Sequence, residues 1–206
     1  MVLENRFNKL IEARHGTILY NKNDIYIGKS IEKYGEFSYL EAKIFEQICK
    51  AGDVVIEVGA NIGAHTLYLS KLVGNGYVFA FEPQRLVFQN LCANLALNSI
   101  SNVFAYQEAV SNENGTIIIP ECNFKENNNF GGINIENTKN GTTVNKQKLD
   151  NFLNKIDRLK LLKIDVEGME ISVIKGASEL IKKFRPMIYV ENDRQEHSKE
   201  LIELLW

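Results

Sequence analysis

The sequence predicts an α/β protein, a parallel sheet wound by right-handed crossovers with helices on both faces. Three observations predict it. Short apolar runs recur at residues 54–58, 77–81, 103–106, 161–164 and 187–190. Between most of them lie segments with apolar residues three or four apart, the spacing of an amphipathic helix. The first run, Val54-Val55-Ile56-Glu57-Val58, is almost continuously apolar rather than alternating, as in a strand covered on both faces. Strands alternating with such helices specify this fold class.

The elements follow in chain order. Residues 17–28 alternate apolar and polar around Asn21-Lys22-Asn23, which reads as a small hairpin ahead of the main fold. Ser38-x-x-Glu41 has the form of a capping box. It predicts a helix with Leu40, Ile44, Phe45, Ile48 and Cys49 on one face, ended by Gly52. After the first strand comes a helix from Ala64 to about Val73, then strand 77–81 and a helix over 85–97 carrying Phe88, Leu91, Cys92 and Leu95. Strand 103–106 precedes an Asn-rich stretch: 12 of the 23 asparagines lie between Asn112 and Asn154, and Asn favours turns. That stretch is expected to be mostly loop. Strand 161–164, a helix from Ile171 to Phe184, strand 187–190 and a last helix reaching Trp206 complete the pattern.

The chain has 206 residues, enough for one well-cored domain. Residues 1–52 form an N-terminal hairpin and helix, and residues 53–206 form the core, with the loop 112–154 inserted. At 45% hydrophobic and 24% charged, the composition excludes wholesale disorder. A net charge of −2 offers no electrostatic footprint for nucleic acid. No apolar run has the length of a membrane span, and Met1 to Arg6 lack the layout of a signal peptide. Cys49, Cys92 and Cys122 form neither a disulfide framework nor a metal-ligand pair. Cys49 and Cys92 are expected as small buried hydrophobes, and a cytoplasmic location is the matching expectation.

Ligands of such sheets sit beyond the carboxyl ends of the strands. The first strand runs into Gly59-Ala60-Asn61-Ile62-Gly63, a turn that lets backbone approach a ligand. Counted as a dinucleotide fingerprint from Gly59, the second glycine falls on Asn61, which disfavours a pyrophosphate. Glu57 adds an anion that attracts an ammonium or sulfonium. The turn therefore fits a nucleoside carrying positive charge and no phosphate. The second strand ends at Glu82-Pro83, the place of a ribose-hydroxyl acceptor. The third runs into Gln107-Glu108-Ala109-Val110, polar groups suited to an adenine edge or simply a solvated strand end. The fourth gives Asp165 and Glu167, which can bind an ammonium, hold a metal or act as general base. Lys163 reads as a paired structural charge. The fifth gives Glu191-Asn192-Asp193: beside Asp165 these make an oxygen-rich pocket for a divalent metal such as Mg²⁺, or bind substrate hydroxyls, or cap a helix.

Taken together, residues 53–63, Phe81-Glu82-Pro83, Glu108-Ala109-Val110-Ser111 and Lys163-Ile164-Asp165-Val166-Glu167-Gly168 resemble the FkbM family of class I S-adenosylmethionine-dependent methyltransferases. Tyr34-Gly35-Glu36 and Tyr189-Val190-Glu191-Asn192 add to the likeness. Glu57 stands where the family more often carries Asp, keeping the charge. The resemblance implies a Rossmann-like sheet of order 3-2-1-4-5 and O-methylation of a hydroxyl on a sugar, polysaccharide or natural product. It implies that Glu57, Gly59, Asn61 and Gly63 surround the methionine part of the cofactor S-adenosylmethionine. Glu82 then holds the ribose, Glu108 and Ala109 lie near the adenine, and Asp165 faces the amino group or the methyl. Tyr34, Gly35 and Glu36 approach from the N-terminal side.

A hydroxyl is a weak nucleophile, so a carboxylate base is expected: Asp165, Glu167, then Glu191. His65 is expected to pack rather than react. Tyr34, Glu36, Phe130 and Asn192 are the expected acceptor contacts. Phe130, in Asn127-Asn128-Asn129-Phe130-Gly131-Gly132, either stacks on a sugar or belongs to a surface excursion. Two other functions share the scaffold, a nicotinamide dehydrogenase and a catalytically inactive binding module. A class I methyltransferase normally has two more strands, so strands 6 and 7 are expected to be missing, with the chain either C-terminally truncated or covered at its fifth strand by another chain. Without cover, the edge at residues 187–190 and Trp206 would be open to self-association.

Overall fold

The computed structural model describes residues 3–133, 138 and 140–205. Five strands form the central sheet: β4 (Val54–Val58), β5 (Tyr77–Phe81), β6 (Val103–Tyr106), β10 (Leu161–Ile164) and β11 (Met187–Val190). All are parallel, in the order β6-β5-β4-β10-β11, which is the expected 3-2-1-4-5. Every residue of β4 is buried. The period of two sends Val54, Ile56 and Val58 into one core with Phe152, Leu162 and Val173, while Val55 joins the opposite core with Phe45, Leu69 and Val78. Each fully buried side chain of this size stabilises the fold by roughly 1.5–3 kcal/mol. The crossovers are helices α3 (Ala64–Val73) and α4 (Arg85–Leu97), as the apolar spacing predicts.

The N-terminal unit differs from its sequence reading. Strands β1 (Leu3–Glu4), β2 (Asn8–Ala13) and β3 (Gly16–Asn21) form an antiparallel sheet, so the hairpin turns at Arg14-His15 and not at Asn21-Lys22-Asn23. Gly16, with φ of 129°, supplies backbone freedom there. Asn21 ends β3 instead, its side-chain oxygen accepting the Asn23 N–H at 2.8 Å. The expected second half of the hairpin leads into helix α1 (Ile27–Tyr34), where Ile27 and Ile31 bury one turn apart. Asn94 of α4 ties this sheet to the core. Its amide accepts from Leu19 N (2.6 Å) and donates to Leu19 O and Ile62 O (3.0 and 2.8 Å).

Helix α2 (Tyr39–Ile48) buries Ala42 and Phe45, but Leu40 and Ile44 are exposed, so the expected apolar face is only half used. Ser38 has φ of 49° and its hydroxyl donates to the Glu41 carboxylate rather than capping the helix backbone. Cys49 is buried, and burial pushes its thiol up to about 11. Cys92 is exposed, against expectation: it falls one residue outside the buried stripe of Val87, Leu91 and Leu95.

The Asn-rich stretch is more ordered than its composition suggests. Strands β7 (Ala109–Val110), β8 (Gly115–Ile119) and β9 (Thr142–Gln147) form a second sheet of order β7-β9-β8, followed by a 3₁₀ turn at Leu149–Phe152. The predicted helix 171–184 is two helices, α5 (Glu170–Lys175) and α6 (Ser178–Phe184). They part at Gly176, where a Cβ would meet the Ser111 carbonyl oxygen at 2.0 Å. Helix α7 (Gln195–Leu205) leaves Ile202, Leu204 and Leu205 exposed. Trp206 lies outside the described residues. Among those described, β11 pairs only with β10, and no helix is long and apolar enough to cross a membrane.

Candidate active site

A cavity of about 380 Å³ opens beyond the carboxyl ends of β4, β5, β10 and β11. Gly59, Asn61 and Glu82 form one wall, Asp165, Glu167 and Glu191 a second. Tyr26, Ile27, Ser30, Phe37, Ser38 and Glu41 close it from the N-terminal unit, and Asn129, Gly131 and Gly132 from the loop before β9.

The turn after β4 is built by close approach. Gly59 has φ of 84°, and a Cβ on it would lie 1.8 Å from the Asp165 carbonyl oxygen. Asn61 is left-handed at φ of 51°, a conformation that Asn tolerates. The N–H groups of Gly59 and Ala60 donate to Phe81 O, that of Gly63 to Ala60 O, and that of Ile62 to Asn61 Oδ1. The Asn61 N–H donates to Glu82 Oε2 at 3.0 Å, and Gln84 N to Glu82 Oε1 at 2.8 Å. Every N–H from residue 59 to 63 is therefore engaged within the chain. A pyrophosphate needs such groups free, so the geometry disfavours a nicotinamide dinucleotide. Burial pushes Glu82 up to about 7, against the two N–H donors that favour its charge.

Behind this turn lies a buried ionic group. Glu57 on β4 and Lys163 on β10 are in register, each 1% exposed. Thr66 on α3 donates to Glu57 Oε2 at 2.6 Å, and Lys163 Nζ is 3.7 Å from Glu57 Oε1 and 2.9 Å from Asp165 Oδ2. Burial pushes Glu57 up to about 7. Burial also works against charge on Lys163 and Asp165, but their mutual attraction wins, raising the lysine and lowering the aspartic acid. Glu191 lines the cavity beside Asp165, and burial together with the charges of Asp165, Asp193 and Glu167 pushes it up to about 8. Glu167 is paired with Arg194 at 2.8 Å.

The remaining expected site residues are placed elsewhere. Glu108 accepts from the Gln147 amide, and Ala109 is buried in β7, neither lining the cavity. Tyr34 is exposed on α1 with Lys33 over its ring. Glu36 pairs with Arg14 (3.2 Å) and faces His15 on the far side of α1. Phe130 is a core residue, 2% exposed and stacked on Phe124 at 4.5 Å, so it cannot offer a face to a sugar. Its flanking residues line the cavity instead. Asn192 donates to Ser198 Oγ at the start of α7. His65 packs between Phe37 and Phe45, and burial pushes it down to about 3. Without Asn192, the expected oxygen-rich metal pocket loses a donor. Among the described residues no group of three or more His, Cys, Asp or Glu is disposed to hold a metal ion.

The sequence reading missed Tyr26, Phe37, Ser38 and Glu41, while Asn129 falls in the loop it offered to a sugar acceptor. The Tyr34-Gly35-Glu36 motif ends one to five residues before three of them, so it marked the right segment and the wrong side chains.

A cavity ringed by carboxylates, with a glycine turn on one side and no free backbone donors in that turn, suits a cationic nucleoside. The donor set fits S-adenosylmethionine. Comparison with known proteins agrees. A family model described as the methyltransferase FkbM domain matches residues 57–205. The methyltransferase sdnD of Sordaria araneosa is 27% identical, with 70% of this chain and 70% of that protein covered. The hexuronic acid methyltransferase AglP of Haloferax volcanii is 27% identical over 63% of this chain, which spans about half (52%) of that relative's length. The crystal structure of an inferred rRNA-methylase from Clostridium thermocellum superposes with a TM-score of 0.50 at 20% identity, covering 81% of this chain and 76% of that one, a likeness of fold alone. With most of its length matched by that model, the chain belongs to the FkbM family of class I S-adenosylmethionine-dependent methyltransferases.

Proposed function

We propose that this protein O-methylates a hydroxyl of a sugar or related natural product. The observation that carries the reading is the carboxyl pair Asp165 and Glu191, which lines the same cavity as Gly59, Asn61 and Glu82. When bound, S-adenosylmethionine supplies a methyl group activated by its sulfonium charge, for in-line transfer to an acceptor oxygen.

The chain's own residues do the rest. Gly59 and Asn61 shape the floor on which the methionine part rests, Asp165 offsets its positive charge, and Glu57 and Gly63 support that floor from behind. Glu82, fixed by two backbone donors, accepts from the ribose hydroxyls. Glu108 and Ala109, which do not line the cavity, make no cofactor contact in this reading. Glu191 in its ionised form takes the acceptor proton as the new bond forms. Lys163 keeps Asp165 ionised, so of the two carboxyls it is Glu191 that holds a proton below about pH 8 and is free to accept one above it. Glu167, engaged by Arg194, is the poorer base. The similarity to a hexuronic acid methyltransferase supports a sugar acceptor.

Labelled methyl transfer to a panel of hydroxylated acceptors tests this. The expected result is an alkali-stable methyl ether, lost about 10²-fold or more in Glu191→Gln. Transfer to nitrogen alone would contradict it.

A further inference from the structure

The rim of the cavity carries an aromatic ring with no structural task. Tyr26 is 62% exposed, yet its backbone is fixed. Its N–H donates to Oδ1 of the buried Asp24 at 2.9 Å, and its carbonyl accepts from Ser30 N at 3.0 Å. Its ring meets Phe37 edge to face at 5.8 Å, which holds it at the mouth and leaves most of it in water. A rigid exposed aromatic beside a polar cavity is what the apolar face of a pyranose ring stacks on, at low entropy cost to the protein.

The charge around it selects further. Five carboxyl groups line the cavity (Glu41, Glu82, Asp165, Glu167 and Glu191) and no Lys or Arg does, among the described residues; with Asp165 and Glu167 each paired to a cation behind the wall and Glu191 protonated below about pH 8, Glu41 and Glu82 supply the uncompensated negative charge. The cations just behind are spoken for: Lys163 by Asp165 and Glu57, Arg194 by Glu167. An anionic acceptor entering here meets like charge with no free counter-ion, an arrangement that rejects wrong partners.

We propose that Tyr26 is the stacking platform of an acceptor subsite for an uncharged sugar ring, and that the acidic cavity excludes anionic sugars and phosphate-bearing acceptors. The proposal rests on the methyltransferase reading and deepens it. It assigns this chain a charge preference opposite to that of a hexuronic acid acceptor.

Saturation-transfer NMR on the complex with S-adenosylhomocysteine tests it at pH 7.5. The probes are the methyl glycosides of glucose, galactose, mannose and rhamnose, with methyl glucuronide as the anionic counterpart. At least one neutral glycoside is expected to bind, and the glucuronide at least tenfold more weakly. Tyr26→Ala should weaken the neutral glycoside fivefold or more, while Tyr26→Phe keeps it within twofold. Affinity for S-adenosylhomocysteine, measured separately, should change less than twofold in both variants. Failure of the wild type to bind S-adenosylhomocysteine strikes the methyltransferase reading itself. With that binding intact, three results would each overturn the subsite: no neutral glycoside bound, glucuronide bound equally well, or no loss in Tyr26→Ala. A matching loss of S-adenosylhomocysteine affinity in Tyr26→Ala would assign the ring to the cofactor and overturn it too.

Discussion

Lys163 donates to Asp165 across 2.9 Å from a position only 1% exposed to solvent. A buried ammonium of this kind needs an anion, so Asp165 is held ionised, and burial together with that neighbouring charge pushes the Glu191 carboxyl up to about 8. A base of that pKa works only when deprotonated. Methyl transfer should therefore rise with pH and level off above about 8. A flat profile from pH 6 to 9 would remove Glu191 as the base. Glu167→Gln should cost much less than Glu191→Gln, because Arg194 already engages Glu167.

Stability should fall between pH 6.5 and 8. Glu57 and Glu82 are fully buried, with folded values of about 7 against an ordinary 4.5. The folded state binds more protons than the unfolded chain across that interval, so stability is present below 4.5 and lost as pH rises through 7. His65, pushed down to about 3, has the opposite effect but mainly below its ordinary 6.5. Above pH 6.5 the remaining half of the His65 titration returns only about 0.4 kcal/mol, against a loss of roughly 1 kcal/mol from each carboxyl by pH 8. Chemical denaturation at pH 6.5, 7.2 and 8 measures it; rising stability would contradict the burial argument.

Gly59→Ala should abolish cofactor binding and destabilise the fold by about 3 kcal/mol or more. The added Cβ would lie 1.8 Å from Asp165 O, at a backbone φ of 84° that L side chains disfavour. Thermal unfolding and calorimetry with S-adenosylhomocysteine report the two effects together. A variant of unchanged stability would show that the turn relaxes.

Phe130→Ala should behave as a core truncation. The ring is 2% exposed and stacked on Phe124, so its loss costs about 3–5 kcal/mol rather than a selective rise in acceptor KM. A stable variant with only weakened acceptor binding would restore the ring to the substrate.

These predictions show where sequence reading succeeds. The five central strands and helices α3 and α4 were legible because buried strands read as apolar runs and surface helices as a 3.6-residue stripe. That Gly59, Asn61, Glu82, Asp165, Glu167 and Glu191 gather at one cavity was legible because strand ends and tight turns of such sheets meet at one edge, whereas the sequence did not show that Glu57 lies buried behind it. The rest depended on contacts distant in sequence. Thr116-Ile117-Ile118-Ile119 was hidden by the surrounding asparagines, and becomes a strand only by pairing with Thr142–Asn145. The break at Gly176 is set by Ser111, some 65 positions earlier. Phe130 reads as an exposed loop aromatic until Phe124 folds onto it. Tyr26 reads as half of a hairpin until Asp24 turns the chain into α1.

Isothermal calorimetry with S-adenosylhomocysteine tests the central claim most directly. The account predicts a complex with Kd in the micromolar range. In Glu82→Ala it should weaken about tenfold or more, because that carboxylate both accepts from the ligand and holds the Asn61 and Gln84 N–H groups in place. No heat on the folded wild-type protein, or an unchanged Kd in Glu82→Ala, would contradict it.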